Sequence, residues 1–133
     1  MIIKDLLGNK HKINLGTMSI NSTRENRSSL HIEARKLIKE IYPTAKIIEE
    51  VAIPILPGQI VYFDFFIPII NLFIEVQGQQ HYEQSSLFHK NEAEFLKQRK
   101  RDNDKVVWAE LNGFDLICLP YNKATSEWRD LLS

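Results

Sequence analysis

Four polar residues stand among or just beyond apolar runs: Asp64, Glu75, Gln77 and His81. Asp64 lies in Val61-Tyr62-Phe63-Asp64-Phe65-Phe66-Ile67, and Glu75 in Leu72-Phe73-Ile74-Glu75-Val76. A carboxylate among large apolar side chains is costly unless it is paired or metal-bound. Two such acids on adjacent strands of a hairpin can face one side. Together they offer hard oxygen ligands of the kind Mg²⁺ takes. Side chains alternate along a strand, so Glu75 and Gln77 share a face while Val76 points away. The Val76 carbonyl can still turn toward the same ion at the strand end. One acid in an apolar strand more often faces solvent at a sheet edge. The pair, followed by Gly78 and His81, favours a site.

The elements that must position these groups follow from periodicity. Leu30, Ala34, Leu37, Ile38 and Ile41 recur at helical spacing, so 30–41 is a predicted helix. Ser28 or Ser29 supplies its N-cap, and Pro43 stops it. At 100° per residue Glu33 lies at the edge of the apolar face. Strands are predicted at 46–53 and 60–67, joined by a Pro54/Pro57-Gly58 turn, and a third at 72–76. Residues 79–87 read as a loop. A long helix follows from about 90 to 111, with Gly113 in the C′ position that suits glycine. A strand at 114–119 and a short helix capped by Ser126 close the chain. The order implies an α/β fold: a central mixed β-sheet flanked by helices. The step from 72–76 through the long helix to 114–119 is a parallel crossover. Residues 1–27 read as an N-terminal extension, a hairpin around Gly8-Asn9 plus a polar linker, before a main domain at 28–133.

The ordered stretches Phe63-Asp64-Phe65-Phe66-Ile67-Pro68 and Ile74-Glu75-Val76-Gln77-Gly78-Gln79-Gln80-His81-Tyr82 resemble the core of the PD-(D/E)xK nuclease superfamily. More narrowly they are similar to nucleases related to the very-short-patch-repair endonuclease, including phage homing endonucleases named for an E-D-x-H-D set. The resemblance covers roughly 30–121. Arg101-Asp102-Asn103-Asp104-Lys105 and Gly113-Phe114-Asp115-Leu116-Ile117 match the helix and strand that close that domain. It implies a restriction-endonuclease-like core and metal-dependent hydrolysis of DNA phosphodiesters, in a homing, mobile-element or repair enzyme. The set maps to Glu33, Asp64, His81 and Asp102, with the x at or beside Val76. Asp64, Glu75 and the Val76 carbonyl would hold Mg²⁺, for which Mn²⁺ would substitute. His81 would be the general base or would stabilise the charged intermediate. Glu33 and Asp102 would steady His81 or metal-bound water. The chain departs from the superfamily at Gln77, where the usual element carries a lysine. Glutamine can hydrogen-bond a water but brings no cation, and His81 is the expected substitute.

Composition sets the partners. The 133 residues carry 44% hydrophobic and 26% charged side chains, which suits one globular domain. Seventeen basic and seventeen acidic groups cancel, which counts against a nucleic-acid binder, since such proteins often carry a basic excess. The basic run Lys97, Arg99, Lys100, Arg101 and Lys105 offsets this as a candidate DNA contact, with an ordinary solvated helix face as the alternative. Trp108 and Trp128 read as core or partner-facing. The lone Cys118 lies in an apolar run and excludes an internal disulfide. The longest apolar stretch, around 65–76, is broken by Pro68, Asn71 and Glu75, so no membrane partner is expected. A cytoplasmic location is expected, in the host if the chain is phage-encoded. DNA is the expected partner, and homodimerisation stays open. The competing reading is an inactive nuclease fold that serves as a DNA- or protein-binding module.

Overall fold

The computed structural model describes residues 1–15, 19–20, 22–23, 28–77 and 92–133. The expected loop at 79–87, with Gly78, His81 and Tyr82, lies outside the described residues.

Each element has a local cause. Helix α1 (Ser29–Ile41) starts where the Ser28 hydroxyl accepts from the His31 N–H at 3.2 Å. Strands β4 (Ile48–Leu56) and β5 (Gln59–Ile67) form a hairpin whose turn places Gly58 at φ +75°. Pro54 is a correction: it lies inside β4, not in the turn. The two-residue strand β3 (Ser19–Ile20) pairs β4 only at Glu49 and Ile48, so Pro54 stands where β4 is an edge. An edge tolerates the missing N–H. Strand β6 (Leu72–Gln77) follows a short 3-10 turn at Pro68–Ile70. Helix α2 (Glu92–Asn112) then leads to β7 (Asp115–Pro120), and α3 (Thr125–Leu132) ends the chain. Gly113 adopts φ +74°, and Phe114 N–H reaches back to the Ala109 carbonyl at 2.9 Å, which closes α2. The α3 N-cap is Ala124 rather than Ser126.

The sheet order is β3-β4-β5-β6-β7, antiparallel except for the parallel β6–β7 pair. The protein is therefore a mixed α/β sheet with helices on both faces. One face buries Val51, Ile53, Val61, Phe63 and Phe73 under Trp108 and Ala109 of α2. The other buries Phe65, Ile67, Ile74 and Leu119 under Ala34, Leu37 and Ile38 of α1 and Trp128 and Leu132 of α3. Both tryptophans belong to the core. Strands β1 (Ile2–Lys4) and β2 (Lys10–Lys12) form the expected N-terminal hairpin. Ile3 and Ile13 bury themselves in the α2-side core, and Asn112 closes a two-way hydrogen bond with the backbone of Lys4. Among the described residues no helix is long and apolar enough to cross a membrane.

One irregularity positions the site. Val61 and Phe63 of β5 face α2, whereas Phe65 and Ile67 face α1 and α3. Both pairs are odd-numbered, so the period-2 alternation breaks at Asp64. In β4 it breaks at Glu50, which takes φ +53°. The simple alternation expected for these strands fails where the acids sit.

Phe73 is fully buried and packs on Phe63, Phe66, Trp108 and Phe114. Phe73→Ala should lower the unfolding free energy by about 3–5 kcal/mol. Urea denaturation would read this. A loss under about 1 kcal/mol would mean that the aromatic cluster is not the centre of the core.

Candidate functional site

Strand pairing between β5 and β6 covers Phe65–Ile67 against Leu72–Ile74. One step further, side chains take over from the backbone ladder. The Asp64 N–H donates to Glu75 Oε1 at 3.0 Å. The Val76 N–H donates to Asp64 Oδ2 at 2.8 Å. Each carboxylate thus caps the opposing strand where the two separate. This exchange is why both acids survive among Phe63, Phe65, Phe73 and Ile74: each finds a backbone donor that would otherwise be orphaned.

Lys105 approaches from the α2 side. Its Nζ donates to Glu75 Oε2 at 3.1 Å and to the Tyr62 carbonyl at 2.7 Å, and it stands 5.1 Å from the centre of the Phe63 ring. The structure thus places Lys105, one of the candidate DNA contacts, against Glu75. The α2 helix also brings Gln98, Arg101 and Asp102 to the same cleft, of about 430 Å³, lined on its other side by Ile60, Tyr62, Asp64, Glu75 and Val76. Asp102 accepts from Gln98 at 3.4 Å. Asp102 is therefore gathered with the acidic pair as expected.

A second set of charges reaches Asp64 from α1. His31 Nε2 lies 2.6 Å from Glu49 Oε1, and His31 Nδ1 lies 3.8 Å from Asp64 Oδ1. Arg35 grips Glu49 through Nε and Nη2 at 3.1–3.2 Å. All three groups are buried. Burial opposes the Glu49 charge, but contacts with His31 and Arg35 outweigh it and hold this carboxyl below the usual range. The His31 ring stacks on Phe65 at 4.5 Å, which fixes its plane.

Glu33 is placed elsewhere. It is exposed, and Thr125 at the start of α3 donates to it. Two helical positions amount to about 200°, so the face that carries His31 and Arg35 inward turns Glu33 outward. His31 was missed in the sequence; its signal was a histidine one turn before Arg35 on an otherwise apolar face. His81 lies outside the described residues. Gln77 ends β6 opposite Pro120, on the strand face that also carries Glu75. Lys97, Arg99, Lys100 and Arg101 are exposed. Lys100 pairs with Asp104, Arg101 donates to Gln98, and Arg99 lies over Phe95.

Burial and the nearby Asp64 charge push Glu75 up to about 7, with Lys105 acting against them. Asp64, partly exposed, and buried Glu75 thus bring two carboxyl groups together with the Lys105 ammonium. Among the described residues no group of three or more His, Cys, Asp or Glu side chains gathers as a metal cage. Mg²⁺ takes one or two carboxylates and keeps several waters; Asp64 and Glu75 would supply the carboxylates of such a site. Half-buried Cys118 pairs with Glu75 across β6–β7. Burial, then the charges of Glu75 and Asp102, push its thiol up to about 11, so it is a poor nucleophile.

No family model matches the chain, and no solved structure matches it. The chain is 38% identical over 64 residues to an uncharacterized protein, 033L, of Invertebrate iridescent virus 3. The match takes in 48% of this chain and 33% of the viral protein, so it spans about a third of that relative's length.

Glu75 gives the metal-free protein a pH signature. Its folded value, about 7, lies above the ordinary 4.5. Folding therefore favours the uncharged form: that contribution is full below 4.5 and is lost as pH rises through 7. At about 1.4 kcal/mol per unit, the loss approaches about 3 kcal/mol. Denaturation in EDTA across this range should show that fall in wild type and not in Glu75→Gln. Parallel curves for the two proteins would mean that ionising Glu75 costs the fold nothing.

Proposed function

We propose that the protein is a metal-dependent DNA endonuclease with a PD-(D/E)xK core of the very-short-patch-repair-like type, serving a mobile element or a repair step. One observation carries this reading: Asp64 and Glu75 cap each other's strands where β5 and β6 separate, with Lys105 on the outer oxygen of Glu75. The order α1, β4–β5 hairpin, β6, α2 crossover and β7 supports the core assignment.

Each residue then has a task. Asp64, Glu75 and the Val76 carbonyl hold Mg²⁺ or Mn²⁺. When bound, the ion supplies Lewis-acid polarisation of the phosphate and lowers the pKa of a water. Lys105 supplies the fixed positive charge that the motif position at Gln77 lacks, aimed at the charge that develops on the phosphate. Gln77, on the Glu75 face, hydrogen-bonds the attacking water. Glu49 and Arg35 fix His31, whose Nδ1 lies 3.8 Å from Asp64. Asp102 and Arg101 line the phosphate's approach. His81 remains the proposed proton acceptor. Water adds to phosphorus, the P–O bond to one sugar breaks, and that oxygen leaves as a hydroxyl. The inactive-module reading leaned on the missing lysine at Gln77, and Lys105 weakens that argument.

Purified protein with Mg²⁺ or Mn²⁺ should nick or linearise supercoiled plasmid, and EDTA should stop it. Asp64→Ala should abolish cleavage, and Lys105→Ala should slow it about 10²–10³-fold. Mg²⁺ should also raise the melting temperature of wild type, because it binds only the folded form. A protein that cleaves no DNA and whose melting is unmoved by millimolar Mg²⁺ is a binding module instead.

A further inference from the structure

His31 of α1 is buried, and its two ring nitrogens meet two different carboxylates. Nε2 lies 2.6 Å from Glu49 Oε1. Burial opposes the charge on Glu49, but contacts with His31 and Arg35 outweigh it and keep the carboxyl ionised. An ionised carboxylate only accepts, so Nε2 carries the proton. Glu49 thereby sets the tautomer, and Nδ1 turns its lone pair toward Asp64. Nδ1 and Asp64 Oδ1 are 3.8 Å apart. An N–H on Nδ1 would close that gap to about 2.7–2.9 Å, the length of a charge-assisted hydrogen bond. Two acceptors thus face each other, an arrangement that a cation between them relieves. Phe65, stacked on the imidazole at 4.5 Å between centroids, keeps the ring from turning away.

We propose, resting on the reading of Asp64 as a metal ligand, that His31 Nδ1 joins Asp64 Oδ1 on one divalent ion of the first transition row. Imidazole nitrogen and carboxylate oxygen stand about 2.0–2.2 Å from such an ion, so two of its ligands reach at most about 4.2 Å apart. The separation of 3.8 Å falls inside that reach. The surroundings agree. A histidine that binds a metal gives its other N–H to a carboxylate, which fixes the ring and raises its basicity. Glu49 stands where that carboxylate belongs, and Arg35 steadies it in turn. The Asp64 side chain is 32% exposed, so an ion reaches the gap from solvent. Among the described residues no third such side chain joins the two. Water and a phosphate oxygen fill the remaining positions, as an ion that acts on a phosphate requires. Mg²⁺ prefers oxygen and gains little from the ring, whereas a nitrogen ligand favours Co²⁺, Ni²⁺ and Zn²⁺ over it.

Metal binding to the intact protein without DNA tests this. Mn²⁺ bound to wild type should show nitrogen coupling in pulsed electron paramagnetic resonance, and His31→Gln should lose it. Glutamine keeps an amide for Glu49 and removes the atom that faces Asp64, so the Arg35–Glu49 pair stays satisfied. His81→Gln should keep the coupling. By calorimetry His31→Gln should weaken Co²⁺ binding at least about tenfold, and Mg²⁺ binding much less. If His31→Gln does not fold, wild type with Zn²⁺ gives the same answer. The Nδ1 resonance of the ring that contacts Phe65 should then shift on binding, while Nε2 keeps its proton. Wild type without nitrogen coupling, coupling that survives His31→Gln, or Co²⁺ and Mg²⁺ weakened alike each overturns the proposal and leaves Asp64 as a ligand without His31. A wild type that takes up no metal overturns the proposal together with the nuclease reading. His31-dependent coupling in a protein that cuts no DNA upholds the nitrogen ligand and removes the nuclease alone.

Discussion

The structure turns on two carboxylates, one buried and one half-buried, that must be satisfied among apolar strands. Asp64 and Glu75 solve the problem for each other by accepting from the opposing strand's backbone. That exchange ends the β5–β6 ladder and holds the strands apart. The gap it leaves admits side chains from both helical layers. Without the separation, Lys105 from α2 and His31 from α1 would be kept on opposite faces of a closed sheet.

The two layers deliver different electrostatics. On the α1 side a sealed set, Arg35–Glu49–His31, balances its own charge and presents one imidazole edge to Asp64. Breaking such a set strands a buried charge and costs several kcal/mol, so its geometry is stiff. On the α2 side the cleft is open and polar. A rigid back and an accessible front are what the proposed nuclease site would need. The break in alternation at Glu50 and Asp64 serves this arrangement. It hands the first half of the hairpin to α2 and the second half to α1, so one strand contributes to both cores while Asp64 lies at the crossing.

The acidic pair was legible in the sequence because carboxylates inside Phe-rich strands have few bland explanations. The sheet, its parallel crossover and the helix boundaries were also legible, because apolar periods of two and 3.6 report burial directly. Three things were not. Lys105 lies in a run of charged residues on a helix with a weak apolar stripe, where nothing local separates a half-buried lysine from solvated ones. His31 and Glu33 lie two positions apart, and helical spacing did not settle which would face the sheet; the answer required knowing that Glu49 waits inside β4. Pro54 read as a turn residue because sequence does not reveal that β3 is only two residues long.

The closure of β1 against the end of α2 has a consequence for the order of synthesis. Ile3 shares a core with Trp108 and Ala109, and Lys4 is bonded to Asn112. Strand β1 is therefore completed by the last turn of a helix that lies 108 positions further along the chain. Contacts this distant are slow to form because loop closure precedes any return from them. Until α2 leaves the ribosome, Asp64 and Glu75 have no Lys105 and Phe73 has no Trp108 to cover it. The growing chain thus carries its acidic pair without the cation or the apolar lid until α2 has been made.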